Sequence, residues 1–199
     1  MLEGAAVRVA IDLLQMPSRV RMIRQAPLPE GMGLLLRVAA CDAEAAAEAA
    51  AMTGRAEPFV SEAAAFFVEQ ILLDPEADSY RVLGSLPGAS TADLRRNMAL
   101  LVRWLHPDVA KGASRSRFVA RVTHAWDDVK TPERRQSYDI DCGRKQKAKA
   151  SSTKPVLKGR KAASRSPSGA GTARGLERYE PQRLGLIQRL LIRLFRRET

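Results

Sequence analysis

Residues 90–108 run Ser90-Thr91-Ala92-Asp93-Leu94-Arg95-Arg96-Asn97-Met98-Ala99-Leu100-Leu101-Val102-Arg103-Trp104-Leu105-His106-Pro107-Asp108. Ser90 to Asp93 form a capping box: a hydroxyl and, three residues on, an acid satisfy the first free amides of a helix. Leu94, Met98, Leu101, Val102 and Leu105 then recur at helical spacing on one face, with Arg95, Arg96 and Arg103 largely away from it. Pro107 ends the helix one residue after His106. Further along, Val119, Val122, Trp126 and Val129 predict a second buried stripe. Two such stripes predict an antiparallel helical hairpin, with His106, Pro107 and Asp108 exposed in the loop at its tip.

The punctuation around this pair is dense. Asp78 to Leu83 reads as a short helix closed by Gly84, suited to the left-handed conformation at a helix C-terminus. Pro87-Gly88 is a turn signal. Thr131-Pro132-Glu133 supplies an N-cap, a proline at the first helical position and an acid in the first turn, predicting a final short helix through Tyr138.

Toward the N-terminus, Ala6, Val9, Ala10, Leu13 and Leu14 predict an amphipathic helix over residues 5–15 that Pro17 ends. Arg8, Arg19, Arg21 and Arg24 give the start of the chain some presequence character, but it reads better as the first helix of the fold. Leu34, Leu35, Leu36, Val38 and Ala39 predict a buried helix after Gly31 and Gly33, and Asp42 to Ala51 a second, alanine-rich one. Pro58 opens a fourth, with Ala63, Phe66, Phe67, Gln70, Ile71 and Leu73 on one face; Phe66 and Phe67 read as core packing. Asp74-Pro75 stops that helix and can start the next as N-cap and first residue. The fold class expected is all-α: an N-terminal helical region at 1–74 and the hairpin module at 75–142.

Composition narrows the function. Among 199 residues, 45% are hydrophobic but only 5% aromatic, which suits a core of Ala, Leu and Val. Cys41 and Cys142 are too far apart in sequence to suggest a disulfide framework or a thiolate metal site, so a reducing, cytoplasmic setting is expected. His106 and His124 are the only imidazoles, and neither a metal site nor a cofactor is expected. No segment has the 18 or so apolar residues that span a bilayer, and no secretory signal is evident. His106 with Asp108 lacks a neighbouring nucleophile and oxyanion site for hydrolysis. Ser151-Ser152-Thr153-Lys154 matches a Ser-x-x-Lys pattern by chance, without the companion motifs, and no phosphate-cradling glycine loop is present.

Charge is unevenly placed. Residues 143–199 hold 16 of the 33 Lys and Arg and 3 of the 22 acids, net +13, leaving 17 basic and 19 acidic residues, net −2, in 1–142. Residues 143–180 have the composition of a basic, disordered linker. Without interleaved aromatics, specific nucleic-acid binding is not expected there. In 181–199, Leu184, Ile187, Leu190, Leu191, Leu194 and Phe195 share one helical face, and Arg189, Arg193, Arg196 and Arg197 the other. Such a helix can lie peripherally in an anionic membrane interface or dock on protein.

Across about 60 residues the ordered motifs resemble the J domain of the DnaJ co-chaperone family. They are Tyr80-Arg81-Val82-Leu83-Gly84, Pro87-Gly88-Ala89-Ser90, the helix ending Leu105-His106-Pro107-Asp108, Ala125-Trp126, and Pro132-Glu133-Arg134-Arg135 with Tyr138-Asp139. The resemblance implies a binding activity: docking on a DnaK-type ATPase chaperone and stimulating its ATP hydrolysis, with an unidentified client. It assigns His106, Pro107 and Asp108 as the triad needed for stimulation, and Arg95 and Arg96 as basic residues meeting an acidic partner surface. The chain would then not itself be an enzyme. It departs from the family pattern at Met98, Ala99, Leu100, Trp104, Leu105 and Val109, and the family's glycine/phenylalanine-rich and Cys-x-x-Cys zinc regions are absent. The alternative reading is a J-like binding or scaffold protein without ATPase stimulation, acting through its N-terminal bundle and cationic tail.

Overall fold

The computed structural model describes residues 4–106 and 113–152, and all regular structure among them is helical. Segment 181–199 and residues 153–180 of the expected linker lie outside the described residues. Met1–Asp141 form one compact unit.

Helix α1 (Ala5–Gln15) buries Ala6, Val7, Ala10, Ile11 and Leu13 and packs against α5 and α3. Val9 and Leu14, expected on the inner stripe, are half-buried. A helix covered from two sides buries a wider arc than a single stripe. A 3-10 turn (Pro17–Arg19) leads into α2 (Val20–Gln25), a helix the apolar pattern does not announce because neither element buries a side chain.

Helix α3 (Met32–Ala39) is central. It buries Met32, Leu34, Leu35, Leu36, Val38 and Ala39 and packs against α1, α4, α5 and α7, the condition under which a helix is apolar nearly all round. Helix α4 (Ala43–Thr53) is capped by Asp42, which accepts from the Ala45 N–H at 3.1 Å and from Arg37 Nε at 2.8 Å. The Arg37 hydrogen bond, followed by the Ala45 N–H, holds the Asp42 carboxyl below its ordinary value.

Helix α5 (Glu57–Phe67) buries Val60, Ala63, Ala64 and Phe67, with Phe66 half-buried. It continues into a π turn (Val68–Leu72), in which the Leu73 N–H reaches back to the Val68 carbonyl at 3.0 Å. Asp74-Pro75 forms a turn and starts no helix. The N-cap is Asp78, whose carboxylate accepts from the Arg81 N–H at 2.9 Å and opens α6 (Ser79–Val82). Gly84 follows at φ +61°, buried, where a Cβ would stand 3.1 Å from Leu36 Cδ1. A side chain there would meet both the left-handed backbone and α3.

Helix α7 (Thr91–Leu105) starts as the sequence predicts, with Ser90 Oγ accepting from the Asp93 N–H at 3.0 Å. Its buried set contains Leu94, Met98, Leu101, Val102 and Leu105 but adds Asn97 and Trp104. Asn97 Nδ2 donates to the Leu83 carbonyl at 3.0 Å and to Ser85 Oγ at 3.1 Å, tying α7 to the turn after α6. A 3-10 turn (Ala113–Phe118) precedes α8 (Val119–Val129), which buries Val122, Ala125 and Val129 while Val119 and Trp126 are half-buried.

The hairpin is antiparallel. At one end Trp104 stands beside Phe118, with ring centroids 6.4 Å apart, and at the other Arg135 reaches Ala89 and Thr91 at the start of α7. Helix α9 (Pro132–Ser152) runs well past Tyr138, into residues expected to begin a disordered linker. Lys, Arg, Gln and Ala over 144–150 are all good helix formers, which sustains the helix beyond Gly143.

Candidate partner-docking site

Arg95, Ala99 and Arg103 stand one turn apart along α7, and His106 extends the row past its end. Arg95 and Arg103 are exposed and Ala99 is half-buried. Arg96, also exposed, pairs with Asp93 on the same helix. The row faces away from the core stripe, so charge costs nothing in burial there. Arg103, not assigned to the site from the sequence, joins this row, and its spacing of eight from Arg95 is the signal that could have found it.

His106 is half-buried rather than exposed at the tip. It is the C-cap of α7, with φ −64° and ψ 135°, and its N–H donates to the Arg103 carbonyl at 3.1 Å. A residue before proline is pushed out of the helical region, which turns the chain sharply here. Pro107 and Asp108 lie outside the described residues. So do Ile187, Arg189, Leu190, Leu191, Arg193, Leu194, Phe195, Arg196 and Arg197.

The flank of α7 next to this row is occupied by the protein itself. Trp104 is 1% exposed, and the Arg115 guanidinium lies 4.4 Å from its ring centroid. Arg115 Nη1 donates to the Trp104 carbonyl at 3.5 Å, and Arg115 Nε lies 3.5 Å from Glu69 Oε1 on the π turn. The Trp104 indole N–H is buried without a hydrogen-bond partner, a burden of about 1–3 kcal/mol that the packing of its ring faces must offset. Leu100, with Arg96, lines a cleft of about 430 Å³ shared with Gly31, Gly33, Leu34, Arg37 and Glu48. Sequence periodicity could not find this flank, because it is covered by residues outside α7: Arg115 and Phe118 after it, and Glu69 and the 31–48 region more than thirty residues before it.

Other motif residues prove to be structural. Ser79 N–H donates to Tyr138 Oη at 2.7 Å, Ser79 Oγ to Asp128 Oδ2 at 2.6 Å, and Tyr80 Oη to Asp139 Oδ1 at 2.9 Å. The rings of Tyr80 and Tyr138 meet edge to face, 5.8 Å apart. Burial, then the Asp139 hydrogen bond, pushes the Tyr80 phenol above its ordinary value, so it stays a neutral donor. These bonds latch α6 onto α8 and α9.

Arg81 turns inward, donating to the carbonyls of Ala26 and Ile23 at 2.8 Å each. It thereby caps the C-terminus of α2. Burial lowers its pKa, while Asp78 and Asp74 pull the other way.

His124 is exposed, with Nδ1 3.3 Å from Asp128 Oδ2, and takes no part in the row on α7. No cluster of three metal-ligating side chains occurs among the described residues, and no helix among them is long and apolar enough to cross a membrane.

Part of the chain is similar to bacterial DnaJ chaperones. It is 38% identical over 63 residues to the chaperone protein DnaJ of Leifsonia xyli subsp. xyli (strain CTCB07), covering 32% of this chain and 17% of that protein. It is 45% identical over 62 residues to the chaperone protein DnaJ of Tropheryma whipplei (strain Twist), covering 31% of this chain and 17% of the relative. The chain thus matches less than a fifth of the length of these relatives, a share that supports a DnaJ-like region and does not extend to the whole protein. No family model matches the chain, and no solved structure matches it.

Proposed function

We propose that this protein is a co-chaperone that docks on a DnaK-type ATPase chaperone and stimulates its ATP hydrolysis, without itself carrying out a reaction. The observation that carries the proposal is the row Arg95, Ala99, Arg103, His106: positive charge on an exposed helix face, ending at the residue where the His106-Pro107-Asp108 triad begins. Guanidinium groups on such a face steer an acidic partner surface and form bidentate pairs with its carboxylates. Each exposed pair contributes only about 0.2–1 kcal/mol, so charge orients and accelerates docking while the triad supplies the contact that triggers the partner. The similarity to DnaJ chaperones supports a DnaK-type partner. The client and the place of action would be chosen by the flanks, with segment 181–199 expected to dock on an anionic membrane surface or on protein.

One observation favours a scaffold role without stimulation. Ala99, Leu100 and Trp104 stand where the family usually carries positive charge, and Trp104 is buried on the flank of α7. The deciding experiment is single-turnover ATP hydrolysis by the cognate DnaK-type chaperone, with wild type and His106→Gln side by side. Stimulation by wild type that His106→Gln abolishes, with helical circular dichroism and melting temperature nearly unchanged, supports the proposal. A folded wild type that leaves the hydrolysis rate at its basal value refutes it in favour of the scaffold.

A further inference from the structure

Arg115 sits at a crossing of three parts of the chain. Its guanidinium stacks on Trp104, two residues before His106, and its Nη1 donates to the Trp104 carbonyl. Its Nε pairs with Glu69 on the π turn of the N-terminal bundle. The side chains of Arg115 and Glu69 are 24% and 30% exposed, so the pair is screened less than an ion pair on open surface. Phe118 adds its ring beside Trp104 from the start of α8. The π turn is what presents Glu69 here: a local widening of a helix changes where the following side chains stand, and such turns recur at functional sites.

We propose that Glu69, Arg115 and Trp104 are positioning residues, through which the N-terminal bundle fixes the last turn of α7 and so the orientation of His106 toward a docked partner. The proposal rests on the docking function proposed above. It gives the N-terminal bundle a specific task, which is to hold the docking end of the hairpin in place. A cation stacked on a buried indole and tethered to a carboxylate has little rotamer freedom left, and pre-organised contacts lose less on binding than mobile ones. The Arg95–Arg103 row is untouched by the clamp, so the two features should separate kinetically. The row sets how tightly the partner binds, and the clamp sets how effectively the bound protein stimulates.

The test uses the full chain in the same single-turnover assay, titrated to saturation. Glu69→Gln and Arg115→Ala should lower maximal stimulation about three- to tenfold with little change in the half-saturating concentration. Arg95→Ala should do the reverse. Arg115→Lys, which keeps a cation that can lie over the indole and reach Glu69, should retain a good part of the maximum. Hydrogen exchange of the peptides spanning Trp104–His106 and Ala113–Phe118 reads the clamp without any partner, and Glu69→Gln should accelerate both while sparing the start of α7. Unchanged exchange in those peptides, or full maximal stimulation by Glu69→Gln, overturns the clamp. A wild type that does not stimulate overturns the docking function instead, and the exchange measurement still decides whether Glu69 holds the end of α7.

Discussion

Replacing Arg81 with methionine should release α2 while leaving the rest of the protein folded. Both hydrogen bonds from the Arg81 guanidinium, to the carbonyls of Ile23 and Ala26, end on the C-terminal turn of a six-residue helix that buries no side chain. A charged hydrogen bond contributes about 1.5–3 kcal/mol net, and for a half-buried guanidinium the lower end applies to each, about 3 kcal/mol together. Methionine keeps most of the aliphatic stem, so little packing is lost with the head group. A helix this short has no stability of its own. One tether remains, Arg24, whose Nε donates to the Gln70 carbonyl at 2.9 Å and whose Nη1 lies 3.4 Å from Asp74.

The amides of Arg24 to Ala26 should therefore exchange about ten- to a hundredfold faster in Arg81→Met, at about 1.4 kcal/mol per decade. The global urea midpoint should move by less than the equivalent of about 1 kcal/mol, because no core side chain leaves. Hydrogen exchange with peptide resolution over 16–30, beside a urea titration, measures both. Acceleration below about threefold would mean that water replaces the guanidinium at no loss. An equal loss of protection across α3, α5 and α7 would mean that α2 is part of the cooperative core. Either result refutes the argument.

Gly84→Ala places a Cβ at φ +61° and 3.1 Å from Leu36 Cδ1, and should cost about 1–2 kcal/mol in a urea titration, since the backbone strain cannot relax even if Leu36 shifts; a neutral result would show that this turn adjusts its backbone. Acid stability should carry the mark of Asp42 and Glu133, whose carboxyls are held below their ordinary values, the first chiefly by Arg37 and the second by the helix-start N–H and Thr131. A depressed carboxyl stabilises the fold fully above its unfolded pKa and loses that contribution as pH falls through the folded value. Melting temperature should thus decline below about pH 4, less steeply in Asp42→Asn than in wild type, and parallel curves for the two would refute the assignment.

Much of the hairpin was legible because its determinants are local. Ser90 caps α7, the helix stops at Leu105 with His106 as its C-cap, Gly84 takes the left-handed turn, and the stripe Leu94, Met98, Leu101, Val102, Leu105 is buried as its spacing requires. What escaped the sequence depends on partners distant in the chain. Trp104 looks like an exposed residue by its place on the helix, and its burial is explained by Arg115 stacked on its ring, with Glu69 holding Arg115, and by Phe118 beside it. Arg81 looks like a solvent-facing cation, yet its acceptors lie 55 and 58 residues upstream. Helix α2 has no apolar periodicity to read because polar contacts hold it, its own Arg24 on Gln70 and Asp74 and Arg81 on its last carbonyls, rather than a buried apolar face. Asp74-Pro75 carried the right residue types for a helix start, but Asp78 won the cap because the helix it opens delivers Tyr80, Val82 and Leu83 to the core.

The latch between α6 and the later helices has a consequence for the time the fold lasts. Its bonds join residues 49 and 59 apart in sequence, so closing it from an open chain would pay for a long loop. The α7–α8 hairpin, whose contacts are nearer in sequence, is expected to bring the two ends together first, with the four residues of α6 docking after the barrier to folding has been crossed. Interactions absent from the transition state leave the folding rate alone and act on escape from the native state. Tyr80, Ser79 and Tyr138 therefore govern the lifetime of the folded hairpin rather than the speed with which it forms, and loosening any of them would appear on the unfolding limb of a chevron plot.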